Sequence, residues 1–426
     1  MDLVVAVAFA IVLNMVVVAQ VRARLPGAEG RFLGRTYLQT IGLRYLLAFV
    51  LYFHLDAAGF AGASAFAATF WGDSSTYDLG GYLLSREWAG EVVVNPYLNR
   101  QHQSGIGFIH FVAVLYSLFG RNQLLVQLVN GVIGGLCVLV IYAIAARLFD
   151  RATARWAALF MAFFPQMIFW SSALYKDPAV MLAIAVCMYA VIRLQERFSL
   201  SQVILFVASS LALLSLRFYV FYMVVFATLG TFLFGQRRGA FRSLLTHSLL
   251  VLVFLAAFSF AARRETVERQ RQYFDLRQVQ VARADQAHLG RSAIAPEVDV
   301  STPGGALAAL PRGLVYLMFA PFPWSITGVR QALTLPETLV WYALMPAFAR
   351  GLLYTLRHRF RPCLPILAFA GMLTVAYALF QGNVGTAYRQ RTQITMFFFV
   401  FMGVGLVQKR LERERRAVLG RPAAVA

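Results

Sequence analysis

Charge is scarce in this sequence. Asp, Glu, Lys and Arg make up 14% of its 426 residues, against 60% hydrophobic residues and a mean hydropathy of +0.65. Soluble domains carry roughly 25% charged residues, so a soluble globular class is excluded. Lysine is nearly missing, present only as Lys176 and Lys409, and arginine supplies the rest of the positive charge. Acids are scarce as well, 19 against 39 basic residues. Cys137, Cys187 and Cys363 are the only cysteines, and their spacing fits neither a disulfide framework nor a zinc site. The sequence shows no glycine-rich phosphate loop, zinc motif or serine triad, which argues against a nucleotide-sugar donor site in this chain. No cofactor is implied with certainty; a divalent cation stays open.

What the chain does have is apolar length. Runs of about 17–25 apolar residues recur, the length needed to cross a hydrocarbon core of roughly 30 Å. The net charge of +20 lies in short arginine clusters between those runs. That pattern fits orientation by the positive-inside rule and not a nucleic-acid stripe. Membrane lipids are therefore expected partners and nucleic acid is not.

Parity of the arginine clusters sets the topology. Spans over 3–20 and 37–55 enclose Arg22, Arg24, Arg31 and Arg35, so that turn faces the cytoplasm. Met1-Asp2 opens the first run without a basic n-region, so an uncleaved span with an external N-terminus is expected. Residues 56–104 form a first external loop with an acidic motif, and 105–120 dips into the outer leaflet and returns. Further spans are expected over 124–148, 156–174, 178–192, 201–215, 218–234, 244–262, 338–355, 365–380 and 394–407. A second external loop, 263–336, opens with the alternating charges of Arg263–Arg271 and includes an interfacial piece, 313–328, with Pro321, Pro323 and Trp324. Residues 409–426 are a cytoplasmic tail. The expectation is an all-α, single integral membrane domain over 1–426. It is a polytopic transmembrane helical bundle of about eleven spans plus two half-inserted or interfacial segments, with long external loops.

Four polar groups reach the external side by separate loops. They are Asp73, Tyr77 and Asp78; Lys176 and Asp177; Arg217; and Arg389 with Arg391. His102, in Asn99-Arg100-Gln101-His102-Gln103, is a further candidate contact. Carboxylates serve as general bases or metal ligands, while Arg and Lys hold phosphate oxygens. Acids facing guanidinium groups suit transfer from a lipid-linked phosphate to an acceptor hydroxyl. Simpler readings stand beside these. Asp73 could cap a helix over 74–84, Lys176 and Asp177 could be an interfacial pair, and Glu337 reads as a helix start. Arg389 and Arg391 could be snorkelling anchors, although positive charge in so short an external turn runs against the orientation rule.

The stretch Trp71-Gly72-Asp73-Ser74-Ser75-Thr76-Tyr77 resembles the acidic first-loop motif of the C-type, lipid-carrier-dependent glycosyltransferases. That superfamily includes the protein O-mannosyltransferases and the aminoarabinose transferase of lipid A. The likeness continues through Leu118-Phe119-Gly120, Asn122–Arg151 with its "ARLFDR" ending, and Phe164-Pro165 to Ser172–Pro178. The late "GTAYRQR" resembles the arginine-bearing segment of bacterial polysaccharide-assembly members. The resemblance implies that Asp73 is the catalytic base on the acceptor hydroxyl and Asp177 a second acid. Lys176, Arg389 and Arg391 take the carrier phosphate on chemical grounds, with Asp78, Tyr77, His102 and Arg217 as further substrate contacts.

The expected function is an inverting glycosyltransferase of the bacterial inner membrane, with its site facing the periplasm and its C-terminus in the cytoplasm. It would take a polyprenyl-phosphate or -pyrophosphate sugar donor and a glycan or lipid acceptor, in cell-envelope or exopolysaccharide biosynthesis. Alternatives are a polysaccharide polymerase or ligase, or a transporter or flippase for a lipid-linked solute. A transporter should show internal repeats and charge near the midplane, whereas the charges singled out here cluster at the outer edge.

Overall fold

The structure is a computed structural model that describes residues 2–57, 65–99, 105–234, 275–289, 293–294, 297–326 and 332–419. The expected span 244–262, the run Arg263–Arg271 and His102 lie outside these residues. Backbone placed in hydrocarbon must satisfy its own N–H and C=O groups, which a helix does within one segment. Among the described residues every regular element is helical, and the only strand-like pairing is one antiparallel bridge, Ala293 to Asn383.

In chain order the helices are α1 (Asp2–Arg24), α2 (Ala28–Ala57), α3 (Ala65–Trp88), α4 (Pro96–Asn99), α5 (Ile106–Phe119) and α6 (Gln123–Leu148). They continue with α7 (Arg151–Phe163), α8 (Pro165–Ser172), α9 (Asp177–Glu196), α10 (Leu200–Phe234) and α11 (Leu276–Leu289). The last five are α12 (Pro303–Phe319), α13 (Leu335–His358), α14 (Phe360–Phe380), α15 (Val384–Gln390) and α16 (Thr392–Leu419). Seven of them, α1, α6, α9, α10, α13, α14 and α16, are long and apolar enough to cross a membrane. The polytopic all-α architecture expected from hydropathy is the one observed.

Several boundaries differ from expectation. The helix containing the second run begins at Ala28, so Arg31 and Arg35 belong to α2 and the turn before it shrinks to a few residues. The run 156–174 is not one helix. Pro165 lacks the N–H that an unbroken helix would need there, and Phe164 is extended (φ −69°, ψ 125°), so α7 ends and α8 restarts with Pro165 at its first position. Arg217 does separate two helices, as expected: α10 consists of two helices that meet at a break there, at a single residue with φ −157° and ψ 81°. An unbroken helix of that length would reach about 52 Å, far more than a bilayer core of roughly 30 Å. Finally, α3 starts at Ala65, not at 74, which places Asp73 in the helix interior. Asp73 is therefore not the N-cap of a helix over 74–84, contrary to that reading.

The chain divides into two compact units. The first comprises Met1–Val140, Met161–Cys187 and Ile204–Tyr222; the second comprises Ile141–Phe160, Met188–Val203 and Met223–Ala426. In the first, α1 and α2 are joined by Asn14. Its Oδ1 accepts from the Tyr37 hydroxyl at 2.7 Å, and its Nδ2 donates to Tyr45 at 2.6 Å. Helix α3 lies against α5 through Gly80 and Gly81: a Cβ on Gly81 would sit 2.5 Å from Val112 Cγ1, and one on Gly80 would sit 3.3 Å from Ile109 Cδ1.

In the second unit α13 and α16 approach backbone to backbone. A Cβ on Gly351 would strike the Phe401 carbonyl, and one on Gly405 the Ala347 carbonyl. Small residues four apart permit this closeness between membrane helices. Overpacking a tight core costs about 1–3 kcal/mol, so Gly351→Val and Gly405→Val should each lower the unfolding temperature in detergent. Gly371→Ala, where a Cβ meets nothing within 4 Å, should leave it unchanged or raised. Equal effects at all three positions would count against this packing.

Candidate active site

Asp73, Tyr77 and Asp78 all stand on α3, and helical spacing separates their tasks. Residues four apart share a face and residues five apart do not. Asp73 is exposed, on the same face as Tyr77. Asp78 turns towards α5 and is buried. Its Oδ1 accepts from the Tyr116 hydroxyl at 2.6 Å, and its Oδ2 pairs with Arg121 Nη2 at 2.5 Å. The hydrogen bond to Asp78 raises the Arg121 guanidinium above its ordinary range. Arg121 also lies 4.9 Å over the Tyr82 ring. These contacts tie α3 to the segment that follows α5, so Asp78 is held in a buried brace.

Tyr77 faces a second group. Its ring meets Phe108 edge-on at 5.0 Å, and Lys176 Nζ lies 5.9 Å from its centroid. Gly105 opens the space between them. Its φ of +121° is one that side-chain-bearing residues rarely adopt, and a Cβ there would come within 2.8 Å of Lys176 Nζ and 2.9 Å of the Tyr77 hydroxyl. Next along the chain, Asp177 is wholly buried and pairs with Arg217 Nη2 at 3.3 Å. Asp177 opens α9, where the positive end of the helix dipole favours a carboxylate. The break in α10 falls at Arg217 itself. Lys176, Asp177 and Arg217 are each at most 5% exposed. Ionisable groups so placed are expensive and mark functional sites by default.

The approach to this pair is held by a side chain that the hydropathy pattern does not single out. Asn130 of α6 donates to the carbonyls of Ala173 at 2.8 Å and Tyr175 at 2.9 Å, fixing the link between α8 and α9. The sequence signal was an Asn inside an apolar run. Arg121 and Tyr116, which occupy Asp78, were also missed, because only the fold shows which face of α3 meets α5.

The arginine turn belongs to the second unit. Asn383 caps α15, its Oδ1 accepting from Gly385 N at 2.7 Å and from Thr386 N at 3.4 Å. Arg389 on α15 is half-buried. Arg391 is buried, and its Nη1 donates to the carbonyls of Leu317, Met318 and Ala320 at 3.0–3.3 Å. These are C-terminal carbonyls of α12, which lack intrahelical donors. The guanidinium also stacks 5.1 Å from Trp341 and 5.2 Å from Tyr388, and burial lowers its pKa. Burial, then the Glu337 carboxylate, pushes the Tyr388 phenol well above its ordinary range. Glu337 does begin a helix, in the first turn of α13. Among the described residues no three of His, Cys, Asp and Glu gather as a metal-ligand set.

Compared with known families, residues 104–262 match the model of the dolichyl-phosphate-mannose-protein mannosyltransferase family. This supports the C-type resemblance and indicates a membrane glycosyltransferase of the mannosyltransferase type. The matched stretch includes Gly105, Lys176, Asp177 and Arg217, while Asp73, Tyr77, Arg389 and Arg391 lie outside it. No curated protein matches the chain.

Two substitutions probe this geometry. Gly105→Ala introduces an unfavourable φ and a clash with Lys176, and should cost about 1–3 kcal/mol of stability. Asp78→Asn removes the charge opposite Arg121. Breaking a fully buried pair costs about 3–5 kcal/mol, but Arg121 is 42% exposed, so solvent screening reduces the expected loss to about 1–2 kcal/mol. Denaturant or thermal unfolding of the purified variants measures both. A neutral Asp78→Asn would show that the brace does not hold α3.

Proposed function

We propose that the protein transfers a sugar from a polyprenyl-phosphate or polyprenyl-pyrophosphate donor to a hydroxyl of a glycan or lipid acceptor, with inversion. The reaction takes place on the external side of a bacterial inner membrane, in cell-envelope or exopolysaccharide assembly. One observation carries most of this reading. Lys176, Asp177 and Arg217 form a buried charged set inside the family-matched stretch, beside Tyr77 and one helical turn from the exposed Asp73.

In this reading Asp73 accepts the proton of the acceptor hydroxyl as its oxygen attacks the anomeric carbon. The bond from that carbon to the phosphate oxygen breaks, and its electron pair leaves on the polyprenyl phosphate. Lys176 stabilises the negative charge gathering on that phosphate, a term that is strong where water is excluded. Asp177 holds Arg217 in place through their ion pair, and Tyr77 forms the wall between α3 and Lys176. Asp78 contributes by fixing α3. Arg389, on the second unit, is a candidate ligand for the carrier phosphate on its chemistry, and Arg391 supports it by holding the turn. His102 is a candidate acceptor contact on sequence alone.

A general base contributes about 10²–10⁴-fold, so Asp73→Asn should lower transfer from a polyprenyl-phosphate sugar by that factor in membranes with unchanged protein level. Transfer retained near the wild-type rate would remove Asp73 from this role. The sidedness is checked separately, with Asp73→Cys or Arg389→Cys in a chain whose three native cysteines are replaced. A membrane-impermeant maleimide should label either position from outside, and labelling from the cytoplasmic face alone would overturn the topology.

A further inference from the structure

Arg44 takes no part in the reaction just described, yet it is wholly buried in α2. Among the described residues its partners are two hydroxyls and two carbonyls, and none is a carboxylate. Nε donates to Ser171 Oγ at 2.7 Å, and Nη1 donates to the Thr40 hydroxyl, to the Thr40 carbonyl at 3.3 Å and to the Ala162 carbonyl at 3.3 Å. The Thr40 hydroxyl in turn donates to the Ala162 carbonyl at 2.5 Å. Burying a cation in apolar surroundings without a counter-charge is costly, so the placement needs a reason.

The break between α7 and α8 supplies one. Ala162 is in the last turn of α7, and its carbonyl has lost the donor that a continuous helix would provide. Arg44 and Thr40 supply that donor from α2. The same guanidinium reaches Ser171, in the last turn of α8, and so links the end of α7 to the end of α8. A planar fork of donors suits two such points reached from one stem. The neighbouring α6 leaves room for it at Gly134, where a Cβ would stand 2.6 Å from Ser171 Cβ and 2.8 Å from Arg44 Nε. Five residues beyond Ser171 comes Lys176, with Asn130 holding the carbonyls between them.

We propose that Arg44 is a positioning residue: by clamping the Pro165 break and the end of α8 it sets the place of Lys176 and Asp177. The structural half of this stands on geometry alone, and its catalytic consequence rests on the glycosyltransferase reading. Because the chain has only two lysines, the position of Lys176 can be read directly. A water-soluble amine-acylating reagent on the full-length protein gives separate rates for Lys176 and Lys409 by peptide mass spectrometry, with the exposed-tail Lys409 as internal control.

In wild type Lys176, 5% exposed, should react slowly. In Arg44→Met its acylation should rise about tenfold, as expected when hydrogen bonds from a charged group are lost, with Lys409 unchanged. Ser171→Ala, which removes one of the contacts, should give a smaller rise, and Arg44→Lys should restore part of the protection. In turnover with a polyprenyl-phosphate sugar, kcat of Arg44→Met should fall about tenfold while KM moves less than about twofold, the pattern of a lost transition-state contact. An unchanged Lys176 rate in a folded Arg44→Met protein overturns the proposal, as does a raised rate with unchanged kcat. If Arg44→Met does not fold, Ser171→Ala is judged by the same criteria. Absence of transfer by wild type would overturn the proposed function, while the Lys176-to-Lys409 ratio would still decide the positioning.

Discussion

A helix that ends inside an apolar protein leaves carbonyls that water cannot reach, and this constraint organises much of the structure. Arginine meets it repeatedly. Arg44 serves the end of α7 at Ala162, Arg391 the end of α12 at Leu317, Met318 and Ala320, and Arg283 the end of α14 at Leu379, with Ile294 as well. An ammonium group offers three donors on a flexible stem, while a guanidinium offers five in a fixed plane that spans two carbonyls at once. The preference for arginine over lysine thus has a structural correlate: Arg44, Arg283 and Arg391 each serve backbone carbonyls.

These clamps depend on close approach, and glycine provides it. Gly134 lets Arg44 and Ser171 meet, Gly105 leaves room for Lys176 beside Tyr77, and Gly382 lies against the Arg283 backbone. At Gly382 the contact is part of a larger fixation, since its carbonyl accepts from Ile294 N at 2.8 Å and its N–H donates to Gln286 at 3.2 Å. The turn that carries Arg389 is therefore anchored at its start by α11 and the 293–294 segment, and at its end by Arg391. Such rigid support suits the role proposed for Arg389, because preorganised groups need not reorganise as charge develops.

The two acids of α3 show how one helix divides roles. Asp73 and Asp78 differ by five residues, which turns them to different faces. The buried one finds Tyr116 and Arg121 and becomes structural, while the exposed one shares a face with Tyr77. Sequence reasoning read Asp78 as a substrate contact, whereas its burial against Tyr116 and Arg121 makes it a brace of α3. The Asp177–Arg217 ion pair joins two residues that the topology had placed on one side without showing that they touch.

The amino-acid sequence by itself determined that the chain is helical and spans a membrane, because apolar length and backbone satisfaction in lipid leave few alternatives. It also marked the residues that break the pattern, including Lys176, Asp177 and Arg217. Arg44 was equally visible as a charge within the run 37–55, but a hydropathy average counts it only as a cost and cannot show what it holds. The break at Pro165, the early start of α3 and the partners of the buried charges were decided by tertiary structure. A side chain's partner depends on which helix faces meet, and that follows from contacts between residues tens to more than a hundred positions apart, such as Arg44 with Ser171 or Arg217 with Asp177, which no local pattern encodes.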